Sequence, residues 1–208
     1  SAWDGVENDY VFGNTGVPWF NYRYDITAVE VGSKISPVDT SKWFFDCTTA
    51  TTAELSKLDM SQVTNADQMF YNFGGNAAEK DIVISGLETW DTGKLKNMHG
   101  MFMWVGQFAR SVTITGFTNW DTSSAEDTSE MFEFAGRSAK AVNLSGFDGW
   151  NTIKIKTTAK MFYGLGYEAV SVNLSGFENW DTASLEDAGS MFEQCASSDK
   201  QEVVMNLS

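Results

Sequence analysis

Few residues in this chain are equipped for chemistry, and most of those that are recur at a fixed spacing. His99 is the only histidine, two cysteines stand at 47 and 195, and 28 acidic residues face 14 basic ones. There is no H-E-x-x-H for zinc, no G-x-S-x-G for a nucleophilic serine and no Cys/His cluster. Two carboxylates suffice to cleave a glycoside, yet nothing singles out one pair among the 28 acids. The sequence predicts no catalytic residue, no metal, no cofactor and no enzyme.

The recurring residues invite two chemical readings. Trp90, Trp120, Trp150 and Trp180 stand 30 residues apart. Exposed, they would form an aromatic platform for sugar rings; a residue repeated at one position of every unit is more often packing, and the column is read as structural. Asp91, Asp121 and Asp181, with Asn151 in the fourth unit, could supply oxygens to calcium. One ligand per unit is too few for that ion, and the neighbouring threonines point to helix capping instead. Lys96, Glu126, Lys156 and Glu186 alternate in sign at one position, which favours correct register between neighbours.

Three further motifs are discounted. Cys47 and Cys195 fall in one column five units apart. At about 4.8 Å per unit they are at least about 24 Å apart, beyond disulfide reach, so both are expected as buried free thiols. "GLGYEA" at 164–169 matches G-x-G-x-x-A, but it follows a helical pattern and precedes a strand, the reverse of a dinucleotide site. "NLS" at Asn143, Asn173 and Asn206 fits the glycosylation sequon yet lies in a predicted strand.

These residues are set in a repeated sentence. "GLETWDTGKLKNMHGMF" (86–102), "GFTNWDTSSAEDTSEMF" (116–132), "GFDGWNTIKIKTTAKMF" (146–162) and "GFENWDTASLEDAGSMF" (176–192) align without gaps, and Met101, Met131, Met161 and Met191 share the 30-residue period. A fixed period in this range marks a stacked architecture. "WFFDC" (43–47) and "LDMSQVTNADQMF" (58–70) extend the series, with spacings from Trp43 of 26, 32, 30, 30 and 30 residues.

Each unit reads as strand, turn and helix. "AVNLSGF" and its counterparts alternate apolar and polar residues, as a strand with one buried face does. Gly86, Gly116, Gly146 and Gly176 end that strand. Threonine or serine after the aspartate suits a helix N-cap, and Ser123 with Glu126 has capping-box spacing. Val63, Ala66, Met69, Phe70 and Phe73, and likewise Leu185, Ala188, Met191, Phe192 and Cys195, lie on one face of a 3.6-residue helix, with Gly136 and Gly166 at helix ends. Stacking would join the strands into a parallel sheet and the helices into a second layer. Helices need about 8 to 10 Å where strands need about 4.8 Å, so the sheet belongs on the concave side and short helices on the convex side of an α/β solenoid.

Residues 1–42 lack the Met-Phe pair but hold "ITAVEV" and the aromatics Trp19, Phe20, Tyr22 and Tyr24, and are read as an N-terminal cap. The solenoid is assigned to 43–208, in units starting near 43, 69, 101, 131, 161 and 191, the last cut short in "VVMNLS" as in a fragment of a longer protein.

"LDMSQVTNADQMF" and the recurring "WDTS…MF" resemble the BspA-like leucine-rich repeats of bacterial surface proteins, over nearly all of the chain from Ile26, although units of 30 residues are longer than those typical of that family. The resemblance implies a right-handed, leucine-rich-repeat-like solenoid, secreted and displayed on a cell surface as part of a longer exported protein. It also implies adhesion, through binding of a host or neighbouring-cell protein.

A formal net charge of −14 without a Lys/Arg cluster argues against nucleic acid and anionic membrane as partners. No apolar run is long enough to insert in a bilayer. The expected ligand-binding positions are the outward strand residues Val83, Thr113, Asn143 and Asn173, which vary between units. Glycan binding by exposed aromatics and a passive spacer are the alternatives. Trp90, Trp120, Trp150, Trp180, Phe102, Phe132, Phe162 and Phe192 are assigned to structure, the phenylalanines as one continuous hydrophobic spine.

Overall fold

The computed structural model describes residues 17–197 together with Val204 and Met205. Its backbone is a stack of coils that share one parallel sheet, β1 to β7 in chain order: Ala28–Glu30, Thr52–Glu54, Asp81–Ser85, Ser111–Ile114, Ala141–Leu144, Ser171–Asn173 and Val204–Met205. Alternation decides which side each strand buries. Ile82 and Ile84 of β3, Val112 and Ile114 of β4, Val142 and Leu144 of β5 and Val172 of β6 are all at most 1% exposed, and the residues between them face out. Each strand pairs with the next without slippage, so that Ile82, Val112, Val142 and Val172 form one row.

The interior is built from aromatic stacks that run along the coil axis. Phe70, Phe102, Phe132, Phe162 and Phe192 follow one another with ring centroids 5.3 to 5.5 Å apart and planes within 8° of parallel. Phe117, Phe147 and Phe177 form a second stack. Phe117 and Phe147 meet Phe132 edge-on, at 5.7 and 5.9 Å. Offset and edge-to-face contacts of this kind add about 0.5 to 1.5 kcal/mol per pair beyond burial. Phe102, Phe132 and Phe162 are fully buried, while Phe192 in the last described coil is 37% exposed.

No α-helix occurs among the described residues, which corrects the expectation of a helical layer. The only helical pieces among the described residues are three-residue 3₁₀ turns at Phe20–Tyr22, Leu87–Thr89 and Phe117–Asn119. In the Met-Phe segment, alternate N–H groups donate to the following coil: Gln68 to His99, Phe70 to Met101 and Asn72 to Met103, at 2.8 to 2.9 Å. Those between them close short turns backward, Met69 to Ala66, Tyr71 to Gln68 and Phe73 to Phe70. The chain keeps bending because it re-enters the left-handed region at regular offsets, at Gln68, Asn72 and Gly74, then at Gly100, Trp104 and Gly106, then at Glu130, Phe134 and Gly136. Consecutive turns of three or four residues place Val63, Ala66, Met69, Phe70 and Phe73 on the same side, just as a helix would, and all five are fully buried. Gly136 and Gly166 close such turns and end no helix.

The capping residues change role accordingly. Asp91, Asp121, Asn151 and Asp181 each accept, through a side-chain oxygen, the N–H two residues on, at 2.8 to 3.3 Å. These are Asx turns. The threonine that follows donates to the next coil: Thr92 to the Asp121 carbonyl, Thr122 to that of Asn151 and Thr152 to that of Asp181, at 2.9 to 3.1 Å. Ser123 and Glu126 cap nothing.

Within residues 1–42, β1 is the first strand of the common sheet. Trp19 packs on Trp43 and Phe44, and its Nε1 donates to the Trp43 carbonyl. Residues 1–16, part of the expected cap, and the Asn206 sequon lie outside the described residues.

Candidate functional site

The strand face is the most regular surface of the molecule. Register places Thr52 beside Val83, Val83 beside Thr113, Thr113 beside Asn143 and Asn143 beside Asn173, so the four expected ligand positions form one row across β3 to β6. Val83 is 38% exposed. Thr113 and Asn143 are half-buried and Asn173 is exposed. Asn173 Nδ2 donates to Asn143 Oδ1 at 2.9 Å, an amide pair linking β5 and β6. At one border of the row, Asp81 accepts from Arg110 Nε at 2.8 Å, from Arg110 Nη2 and from Ser111 Oγ at 2.7 Å. Those donors, the Arg110 guanidinium above all, hold the Asp81 carboxyl down at about 2.

The tryptophan column is interior. Trp90, Trp120 and Trp150 are 2 to 3% exposed, and Trp180 is half-buried. Neighbouring rings stack at 5.7 to 6.0 Å. Each Nε1 donates to a carbonyl of the preceding coil, those of Leu55, Leu87, Phe117 and Phe147 in turn, at 3.1 to 3.4 Å. Closed in this way, the first three rings offer no face to a sugar.

Half-buried aromatics lie elsewhere, on the turn side. Phe45 stacks on Tyr71 at 4.6 Å, and Trp104 meets Phe134 at 4.6 Å, which in turn meets Tyr163 edge-on at 5.1 Å. Trp104 and Phe134 hold φ of 62° and 53°, where bulky residues are strained. Gly164 of the discounted "GLGYEA" motif makes the arrangement possible, because a Cβ there would lie 2.4 Å from the Phe134 ring.

A charged cluster on the same side joins residues far apart in sequence. His99 Nδ1 lies 2.8 Å from Asp67 Oδ1, its Nε2 lies 3.4 Å from Glu130 Oε2, and Glu130 Oε1 lies 3.7 Å from Lys160 Nζ. The sequence presents His99 only as a lone histidine; the signal for its partners is positional, since Asp67, His99, Glu130 and Lys160 fall at nearly equivalent points of successive repeats. Of the alternating charges, Glu126 bridges Lys96 and Lys156 at 3.7 and 3.1 Å. Cys47 and Cys195 are free and buried, and burial pushes both thiols up to about 12.

One family profile, described as "Mycoplasma protein of unknown function, DUF285", matches residues 38–135 and, overlapping them, 73–204. The chain belongs to this DUF285 family. No curated protein and no solved structure matches it. The DUF285 match therefore spans the coils that carry the strand row, the tryptophan stack and the His99 cluster, from β2 through β6 to the start of β7. No helix among the described residues is long and apolar enough to cross a membrane.

Proposed function

We propose that this chain is an extracellular, cell-surface adhesion module that binds a protein ligand through its strand face. In this reading it is a BspA-like, leucine-rich-repeat-type coil, right-handed, with the sheet concave and residues 1–42 as its N-terminal cap. The observation that carries the reading is the row Thr52, Val83, Thr113, Asn143 and Asn173: outward residues that range over threonine, valine and asparagine on a sheet whose inward residues all stay apolar. A rigid scaffold with a varied, uncharged surface row suits protein recognition, because little conformational entropy is lost on docking. Host matrix or neighbouring-cell proteins are the expected partners, and no catalytic role is assigned. The test is a binding screen against such proteins followed by Thr113→Arg/Asn143→Arg. Loss of binding by this variant supports the reading; full affinity in a folded double variant removes the strand face.

Glycan binding is the second reading, and the half-buried Trp104–Phe134 pair favours it over the tryptophan stack. A glycan array separates the two, since hits abolished by Trp104→Ala point to sugars. Silence in both screens leaves a spacer.

A further inference from the structure

His99 is held at the junction of three coils. Its N–H donates to Asn97 Oδ1 at 2.9 Å and its carbonyl accepts from Gln68 at 2.9 Å, which fixes the ring between Asp67 of the preceding coil and Glu130 of the following one. A neutral imidazole can donate its one N–H to Asp67 but brings no charge to Glu130, whereas an imidazolium donates to Asp67 and also stands as a cation 3.4 Å from the Glu130 carboxylate. Glu133 belongs to the same turn as Glu130, its N–H donating to the Glu130 carbonyl at 3.0 Å; it is 6% exposed, and its Oε2 has no hydrogen-bond partner among the described residues. An ionised carboxylate in such a place is costly, and a protonated one is not.

We propose that Asp67, His99, Glu130, Glu133 and Lys160 form a proton-operated latch across four successive coils, closed while His99 is doubly protonated and Glu133 is neutral, and loosened as both protons leave. The groups that face His99 are Asp67 from the coil before, Asp127, Glu130 and Glu133 from the coil after, and, through Glu130, Lys160 from the next; Asn97 on its own coil is neutral. Asp127 is already engaged by the Ser129 N–H at 2.8 Å. With both protons in place, three carboxylates meet two cations. Without them, four carboxylates meet Lys160 alone.

Both losses have the same sign. The hydrogen bond to Asp67 holds the His99 imidazole above its ordinary 6.5, against the opposing effect of burial. Its contribution is complete below the unfolded value and disappears as the pH rises through the folded one. Burial, reinforced by the charge of Glu130, lifts Glu133 above its ordinary 4.5, so its contribution also fades upward. The latch is therefore tightest in mildly acidic surroundings.

A chain with one histidine makes the test direct. In tag-free protein, the single His99 ring resonance is followed through a pH titration by carbon-edited NMR, and thermal midpoints are recorded from pH 5 to 9 for wild type, His99→Gln and Glu133→Gln. The His99 midpoint is expected above 6.5, the ordinary value. Wild type is expected to lose thermal stability between pH 6 and 9 by more than His99→Gln, and Glu133→Gln to melt higher than wild type at pH 8. A His99 midpoint at or below 6.5 overturns the latch, as does an equal loss of stability in wild type and a folded His99→Gln. If His99→Gln fails to fold, the wild-type titration decides alone.

Discussion

Each coil crosses two ladders, and they ask different things of the sequence. On the sheet side, β3 to β6 run extended, a conformation open to almost any L-residue, and the outward row carries valine, threonine and asparagine without disturbing the pairing. On the turn side, the backbone returns to positive φ at three offsets in each of the five coils from Gln68 onward, as at Glu130, Phe134 and Gly136. Only glycine adopts that region freely; for other residues it costs about 1 to 2 kcal/mol. The last of the three offsets is glycine in four coils, at Gly74, Gly106, Gly136 and Gly166, and Ala196 in the fifth. Variation is therefore free of backbone strain where the chain is extended, whereas at the bends only the last offset is held to small residues and the first two carry varied side chains at that cost, which is a physical reason to place recognition on the strands.

The largest effect is expected where both ladders rest on a common interior. Phe132→Ala removes a fully buried ring stacked on both Phe102 and Phe162. It should destabilise the fold by about 3 to 5 kcal/mol in a denaturant titration. A loss below about 1 kcal/mol would mean that the aromatic stack is not what joins the two sides.

A matched pair sharpens the contrast itself. Gly136→Ala forces a Cβ to within 2.6 Å of Val142 Cγ2 at a φ of +57° and should cost about 1 to 3 kcal/mol. Thr113→Val in the strand row should change stability by no more than about 0.5 kcal/mol. Equal costs at the two positions would break the distinction between the ladders.

A substitution in the reverse direction should help. Gln194 is exposed and holds a φ of 59°. Gln194→Gly relieves that backbone but gives the unfolded chain more freedom, leaving a net gain of at most about 1 kcal/mol. Calorimetry should register it as a rise of about 2 to 4 °C. Smallest of all is the expected reactivity of the thiols. With burial pushing Cys47 and Cys195 up to about 12, neither should react with a thiol reagent at pH 8 in the native state, and both should react in guanidinium.

The columns were legible because repetition exposes them. A residue that must be apolar in every coil is visible as soon as the repeats are aligned, and Met69, Phe70, Met101, Phe102, Met131 and Phe132 are indeed all buried. The helical expectation fails for a specific reason: spacings of three and four residues serve a chain of short turns as well as a helix. Asn72, Gly100 and Gly164, left-handed residues within or just beside the supposed helix, carried the contrary signal. As for the candidate surfaces, the strand row followed from alternation alone. The Trp104–Phe134 pair and the His99 cluster did not, because each depends on which neighbour one coil away a side chain meets.

The sequence by itself determined the period, the parallel sheet and the inward or outward direction of most side chains, since burial of apolar area is dictated by pattern and the pattern is written many times over. Only the tertiary structure decided the backbone form of the Met-Phe segment and the partners of its polar groups. An N–H such as that of Phe102 has a choice between a carbonyl four residues back and the Met131 carbonyl of the next coil, which it takes at 2.8 Å. That second acceptor comes within reach only once the next coil has been laid down against the first.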